Sequence, residues 1–480
     1  MKAAGALLAA AIASMLAACV AGPDYRRPDV ELPANWKVEA SWRVGTPSDA
    51  RPKGGWWQRF GDPQLNALEQ QALAASPTLA LAGARLAQAR ALLSSALAAR
   101  YPQASLGIRE QRASISANRP LTNPNQPQFP ATQNDTILTL NASYEADLAG
   151  RVRRLIEGAR ASAEQSAADF ENARLLLTAD LVTAYFNLRE LDVELDVLSR
   201  SIGLQRRALE LANARHDLGA TSGLDVAQQQ ALLDSTLTQV DVLRKQRGQF
   251  EHALATLIGT PAPSFELAAD VQTLEPPTIP IGVPSDVLER RPDVASAERA
   301  MAVANAQVGI AHAAFYPSVS LGAAYGSESR VLHRLFDLPS IIWSVGTSLT
   351  QPIFSGGQLE ANLESARAGY EATVANYRRV VLTAMQEVED GIAGMAALER
   401  AHTQALAAVG SANRVLDLAM SRYEGGVATY LDVITAQQGL LNNERLAAQL
   451  QGQRLLTAVF LVKALGGDWQ SESRLATEMR

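Results

Sequence analysis

The chain repeats itself in register, and this limits what it can fold into. RHDLGATSGLDV, which contains Arg215, matches RYEGGVATYLDV, which contains Arg422. Arg215 pairs with Arg422, Gly219 with Gly426 and Asp225 with Asp432, each pair 207 positions apart. The same spacing joins Gly150 to Gly357 and Gly259 to Gly466. Earlier, Pro77 pairs with Pro292 and Tyr101-Pro102 with Tyr316-Pro317, 215 positions apart, so copy one has extra residues between positions 102 and 150. Register kept over this length marks a duplicated structural unit. The segments are an export signal (1–18), an extended segment (19–61), repeat one (62–260), a Pro-rich linker (261–284), repeat two (285–467) and a polar tail (468–480).

Both repeats follow one plan. A helix, about 63–100 and 285–315, ends at Tyr-Pro, because proline disfavours helix in the residue before it. A strand pair follows. Val319, Leu321, Ala323 and Tyr325 alternate with smaller or polar residues, as do Ile341, Trp343, Val345, Thr347 and Leu349. In repeat one, Leu106 and Ile108 mark one strand, and Leu138, Leu140, Ala142 and Tyr144 the other. This is the period of two that strands show. The link from Asn118 to Asn134 is rich in Pro, Asn and Gln and reads as an exposed loop. A very long helix comes next, about 152–216 and 358–422. Leu177, Leu181, Ala184, Leu188, Leu191, Leu195, Leu198 and Ile202 step by four and three, a coiled-coil seam. At 1.5 Å per residue such a helix extends roughly 95 Å. In repeat two the seam holds Gly391, Met395, His402 and Ala405, so close packing by small residues is expected. After a tight turn a shorter helix returns, about 224–258 and 431–465.

The strands constrain assembly. They suit tilted outer-membrane strands in length and alternation. Four cannot close a barrel, and an open edge in lipid leaves backbone groups unpaired at several kcal/mol each. Two chains would give eight strands and a filled lumen. Three would give twelve and room for water, with two repeats per chain setting a six-fold pseudo-symmetry. The competing reading is a small sheet packed on soluble helices.

The N-terminus opens with Met1-Lys2, continues with an apolar run to Ala17 and reaches Leu16-Ala17-Ala18-Cys19. A basic start, an apolar stretch and small residues form an export signal. A cysteine just past the cut has the form of a bacterial lipobox, whose thiol is acylated; the alternative is an ordinary signal with an incidental cysteine. Cys19 is the only cysteine, which excludes an internal disulfide and a cysteine-based metal centre. No other stretch is apolar and long enough for a membrane helix. The formal net charge of -6 argues against nucleic-acid binding. No phosphate loop, HExxH or Ser/His/Asp arrangement stands out, so no enzyme is expected, and no cofactor beyond a covalent lipid on Cys19.

Several segments carry a family resemblance. CVAGPDYRRP and GGWWQRFGDPQLNALEQQALAASPTL resemble the N-terminal region of outer-membrane efflux lipoproteins of the TolC-like and NodT-like group. LERRPDVASAERAMAVANAQVGIAHAAFYPSVSL, QPIFSGGQLEANLESARAGYE and RYEGGVATYLDVITAQQGLLNNE resemble its second repeat, in order. The resemblance implies a mainly α protein with a transmembrane β part: a homotrimer whose twelve-stranded barrel in outer-membrane lipid continues as a helical barrel, with a mixed equatorial region. It also implies the exit duct of a tripartite pump, served by a periplasmic adaptor and an inner-membrane transporter of the RND type. A type I protein-secretion duct of the same fold, or a pore-less periplasmic coiled-coil scaffold, is the alternative.

The resemblance also places candidate sites. The turns Leu218-Gly219-Ala220-Thr221 and Gly425-Gly426-Val427-Ala428 fall at the tip that meets the adaptor, although glycines there also close helices. Asp432 stands where the family has a constricting carboxylate, with Asp225 as its repeat mate. Yet Ser222 with Asp225, and Thr429 with Asp432, have capping-box spacing. Thr435 occupies the position of a second family carboxylate, so steric closure by Leu431 or Tyr430 is the alternative to a double acidic ring. His402 reads as a packed seam residue, and His312 and His333 form no metal-spaced cluster. Arg151, Arg153 and Arg154, just after the second strand, are expected to mark the barrel–periplasm interface; the alternative is a solvated helix start.

Overall fold

A computed structural model describes residues 22–26, 55–116, 131–272, 274–277, 279 and 290–467 of the chain. The export signal, Cys19 and the tail 468–480 lie outside the described residues.

Both repeats take the expected order. In repeat one, helices α1 (Pro63–Ala75) and α2 (Pro77–Ala98) precede strands β1 (Gln103–Ile115) and β2 (Ala131–Ala146), then helices α3 (Arg151–Asp217) and α4 (Gly223–Leu257). In repeat two, α5 (Pro292–Ala313) precedes β3 (Ser318–Ser329) and β4 (Ile341–Thr350), then α6 (Gln358–Glu424) and α7 (Tyr430–Ala464). The long helices α3 and α6 each have 67 residues and the returning helices 35. At 1.5 Å per residue the long ones extend about 100 Å.

Three expectations are corrected. The single helix over 63–100 is two, because Ser76 is extended (ψ 123°) ahead of Pro77, whose ring disfavours helix before it. In repeat two the helix expected over 285–315 is likewise interrupted, with Arg291 non-helical ahead of Pro292, where the described helix begins; residues 285–289 lie outside the described residues. The loop Asn118–Asn134 is shorter than expected. Residues 131–134 belong to β2, where Asn134 pairs with Arg112 and Gln133 with Ala113, and residues 117–130 lie outside the described residues.

By contacts the chain falls into two units. The first lies within Met1–Asp29, Ala87–Gln165 and Ala297–Tyr377 and holds the sheet. Its four strands form an antiparallel meander, β1-β2-β3-β4. The second unit lies within Val30–Leu86, Ser166–Ser296 and Arg378–Arg480. Its main core gathers Trp56, Trp57, Phe60, Leu65 and Leu68 against Tyr185, Phe186 and Leu188 of α3, Leu254 of α4 and Val459 of α7. The leucine seam of α3 is buried as its spacing requires, with Leu181, Leu188 and Leu198 fully enclosed. In α6 small residues allow close approach: a Cβ on Gly391 would come within 3.0 Å of Leu461, and one on Gly394 within 3.1 Å of Thr457. The described part of the linker is strapped to the helices by arginines. Arg189 donates to the Ala268 carbonyl (2.8 Å) and Arg247 to the Leu267 carbonyl (2.6 Å), and both pair with Asp192.

Candidate functional site

The sheet has one apolar and one polar face, and the pairing register aligns each across all four strands. Leu106 stands opposite Leu140, Leu140 opposite Tyr325, and Tyr325 opposite Trp343. Parallel rows run Ala104, Ala142, Ala323, Val345 and Ile108, Leu138, Ser327, Ile341. On the other face the rows are Ser105, Asn141, Ala324, Ser344 and Gly107, Thr139, Gly326, Ile342. Among the described residues nothing covers the apolar side: Leu106 is 72% exposed, Tyr325 59% and Trp343 73%. A contiguous apolar patch bared to water marks a membrane or partner surface. Among the described residues β1 and β4 each have one strand neighbour, so both edges of the sheet are open there.

Where β2 meets α3, carboxylates and arginines interlock. Asp147 accepts from the amides of Val152 (3.0 Å) and Arg153 (2.9 Å), capping the helix start where free N–H groups point outward. Arg151 is bidentate on Glu145. Arg154, almost wholly buried, donates to the Gly22 carbonyl (3.1 Å) and pairs with Asp24 (3.0 Å). Asn305 of α5 donates to the Pro23 carbonyl (3.1 Å). The three arginines expected at this junction are therefore ion-paired there. The clamp on Gly22–Asp24 was not anticipated, since partners 130 positions apart leave no local pattern; the cap by Asp147, five and six residues from its amides, had a local signal that was missed.

The hairpin tips repeat one geometry. Gly219 (φ 73°) and Gly426 (φ 70°) take the left-handed conformation that ends a helix. Ala220 donates to the Arg215 carbonyl (2.8 Å) and Val427 to the Arg422 carbonyl (3.0 Å). Leu218 is 84% exposed and Val427 69%; Ala220 and Gly425 are exposed, and Thr221 is half-buried. Asp432 accepts from the Thr429 amide and hydroxyl, both at 3.0 Å, and Asp225 accepts from the Ser222 amide (3.4 Å) and the Thr221 hydroxyl. Both aspartates thus serve their helix starts, and Asp432 and Leu431 remain exposed.

Tyr430, expected beside Leu431 as a steric element of the constriction, is instead packed inside the chain. Its ring lies 5.0 Å from Tyr423, and its hydroxyl donates to Gln229 of α4 (2.9 Å). Burial raises its pKa to about 12, so it stays a donor at any physiological pH. The Arg215 guanidinium stacks 4.7 Å from the Tyr423 ring centre. These contacts join the two hairpins near their tips, and no local pattern announces them: both repeats carry the arginine, but only Arg422 is followed by tyrosine.

Elsewhere His402 takes a hydrogen bond with Arg454 (3.2 Å), and burial lowers its pKa. Among the described residues no cluster of His, Cys, Asp and Glu could hold a metal ion, and no helix is long and apolar enough to cross a membrane.

The model of the outer membrane efflux protein family matches residues 68–260 and 283–467, one stretch per repeat. The pyoverdine export outer membrane protein OpmQ of Pseudomonas aeruginosa is 32% identical over 465 residues, covering 95% of this chain and 96% of that protein. The toluene efflux pump outer membrane protein TtgF of Pseudomonas putida is also 32% identical, over 97% of both chains. The solved structure of the outer-membrane channel OprN is 29% identical and superposes with a TM-score of 0.84, over 94% of this chain and all of that one. The fold is thus that of the trimeric outer-membrane efflux channels. With both repeats matched and the whole fold shared, the chain belongs to the outer membrane efflux protein family, the channels of efflux pumps in the outer membrane.

Proposed function

We propose that three copies of the chain close a twelve-stranded barrel and form a passive exit duct for small molecules. A periplasmic adaptor and an inner-membrane RND-type transporter deliver the cargo. The observation that carries this reading is the four-stranded sheet with an uncovered apolar face and two open edges. In lipid the apolar rows face the acyl chains, and open edges persist only if another copy pairs with them. A pore-less scaffold has no use for such a sheet. In this reading the chain performs no chemistry and needs no cofactor, and Cys19 carries acyl chains that tether each subunit to the outer membrane.

The tips, with Leu218, Gly219, Ala220 and Thr221 in one and Gly425, Gly426 and Val427 in the other, meet the adaptor. Three copies of Asp432, flanked by Leu431, narrow the tunnel there and attract cations. Tyr430 and Asp225 support them from within the chain. Cargo is left to the transporter. Two relatives of equal identity to this chain are named for pyoverdine and for toluene, so a duct of this kind is not tied to one molecule.

The test is reconstitution of the purified full chain in planar bilayers, with its mass measured in detergent. A trimer with discrete, cation-preferring conductance is expected. A monomer without conductance would overturn the reading.

A further inference from the structure

Within one chain, the first helical hairpin meets the second along a polar seam. Arg445 of α7 reaches Glu194 of α3 with Nε (3.0 Å) and Nη2 (2.9 Å), and Gln239 of α4 with Nη1 (2.9 Å). Gln449 donates to the other oxygen of Glu194 (3.0 Å). Glu194 is buried, so this pairing is what lets its charge stay there.

If the chains close into a ring of alternating first and second repeats, the second hairpin must meet the first hairpin of the next chain. In a pseudo-six-fold ring it does so with the repeat equivalents of the same two surfaces, as a head-to-tail contact. The 207-residue offset converts one seam into the other. Glu194 maps to Ala401 and Gln239 to Leu446; on the opposing surface Arg445 maps to Thr238 and Gln449 to Val242. All four replacements are exposed, Leu446 at 47% and Val242 at 50%. Each charged or amide group of the internal seam has become small or apolar.

A second observation concerns the long helices. Leu382 of α6 is 65% exposed, whereas its repeat mate Leu175 in α3 is 4% exposed. Val415 is 55% exposed and its mate Ala208 8%. Among the described residues the second long helix therefore lacks a cover that the first one has. On the opposing surface the imbalance reverses: Tyr430 and Leu441 are buried, and their mates Gly223 and Asp234 are exposed.

We propose that the seam between chains is an apolar copy of the internal seam, in which Leu446 and Ala401 of one chain pack on Thr238 and Val242 of a second copy. The proposal rests on the trimer reading above. The chemistry suits the order of events. The internal seam forms once, during folding, and can enclose a paired charge. The outer seam forms between folded chains, and a charge there would have to be stripped of water before its partner arrived. Two isolated large apolar side chains leave the free chain soluble at that surface and are covered on assembly.

The test uses the full chain in native membranes, with two pairs of substitutions, Thr238→Cys with Leu446→Cys and Val242→Cys with Ala401→Cys. A short bismaleimide is added and masses are read on a denaturing gel. Each pair should give covalent dimers and trimers, and each single variant should stay monomeric. All four sites are exposed in the chain, so the variants fold. A monofunctional maleimide in denaturant confirms that each thiol is free. If mass measurement in detergent shows a trimer but neither pair links chains, or links form only within a chain, the seam assignment is overturned and the trimer stands. If the mass is that of a monomer or dimer, the trimer reading itself fails.

Discussion

Asp432 serves its helix start and, in the proposed duct, also narrows the tunnel; a single substitution can separate the two. Its carboxylate receives the Thr429 amide and hydroxyl, and it is exposed beside Leu431. Asp432→Asn keeps an acceptor for the helix start and removes the charge, whereas Asp432→Ala removes both, at about 1 kcal/mol locally. Single-channel recording should show reduced cation preference in both variants. If asparagine keeps the full preference, the residue only caps. Glu69 of α1 offers a second test at this scale. It is fully buried, neither carboxylate oxygen has a partner among the described residues, and burial pushes its pKa from 4.5 up to about 9. The folded chain therefore holds a proton there that the unfolded chain releases above about pH 4.5. The contribution to stability is fullest below that value and falls by about 1.4 kcal/mol per pH unit as pH rises towards 9. Glu69→Gln should unfold at a higher temperature than the parent at pH 8 and at the same temperature near pH 4. Equal thermal shifts at both values would show that Glu69 is not buried as a neutral acid.

At the scale of elements, the glycines of β3 test the sheet. A Cβ on Gly326 would lie 2.0 Å from the Leu138 carbonyl oxygen, whereas one on Gly322 would meet nothing within 4 Å. Both sit on the polar face, four residues apart. Gly326→Ala should force β2 and β3 apart at roughly 1–3 kcal/mol or more, as overpacking does, while Gly322→Ala should be silent. The fraction of membrane-inserted chain that resists trypsin reads the difference, and equal resistance would sink the argument. Much of this level was legible in the sequence, because alternation names the strand faces and Tyr-Pro, Gly and the leucine steps name element ends and seams. Even the break at Ser76 was signalled by Pro77 and lost only because both flanks favour helix. The illegible part is pairing between elements. Glu194 with Arg445, Arg215 with Tyr423 and Arg154 with Asp24 are set by packing, which no local spacing encodes. The candidate site divides the same way: both aspartate caps could be read from spacing, but the burial of Tyr430 could not.

For the whole molecule, the proposed lipid on Cys19 and the strands offer two attachments to the membrane, and the strands should dominate. Arg154 and Asn305 hold Gly22 and Pro23 against the helices that adjoin the sheet, both within one unit. Cys19 is three residues earlier in the chain, so in the proposed lipoprotein its acyl chains would start within about 10 Å of that clamp. The proposed lipid would thus be tethered close to the sheet. Several acyl chains add firm anchorage to a soluble protein, but a closed barrel of apolar-faced strands needs none to stay in place. Cys19→Ser should therefore lose radiolabelled fatty acid and, where it is exported, still yield trimers of parental conductance. Lower abundance at the outer membrane fits this account, because sorting precedes insertion. Only unfolded or monomeric chain in the exported variant would reverse the order, making the lipid the condition for closing the barrel.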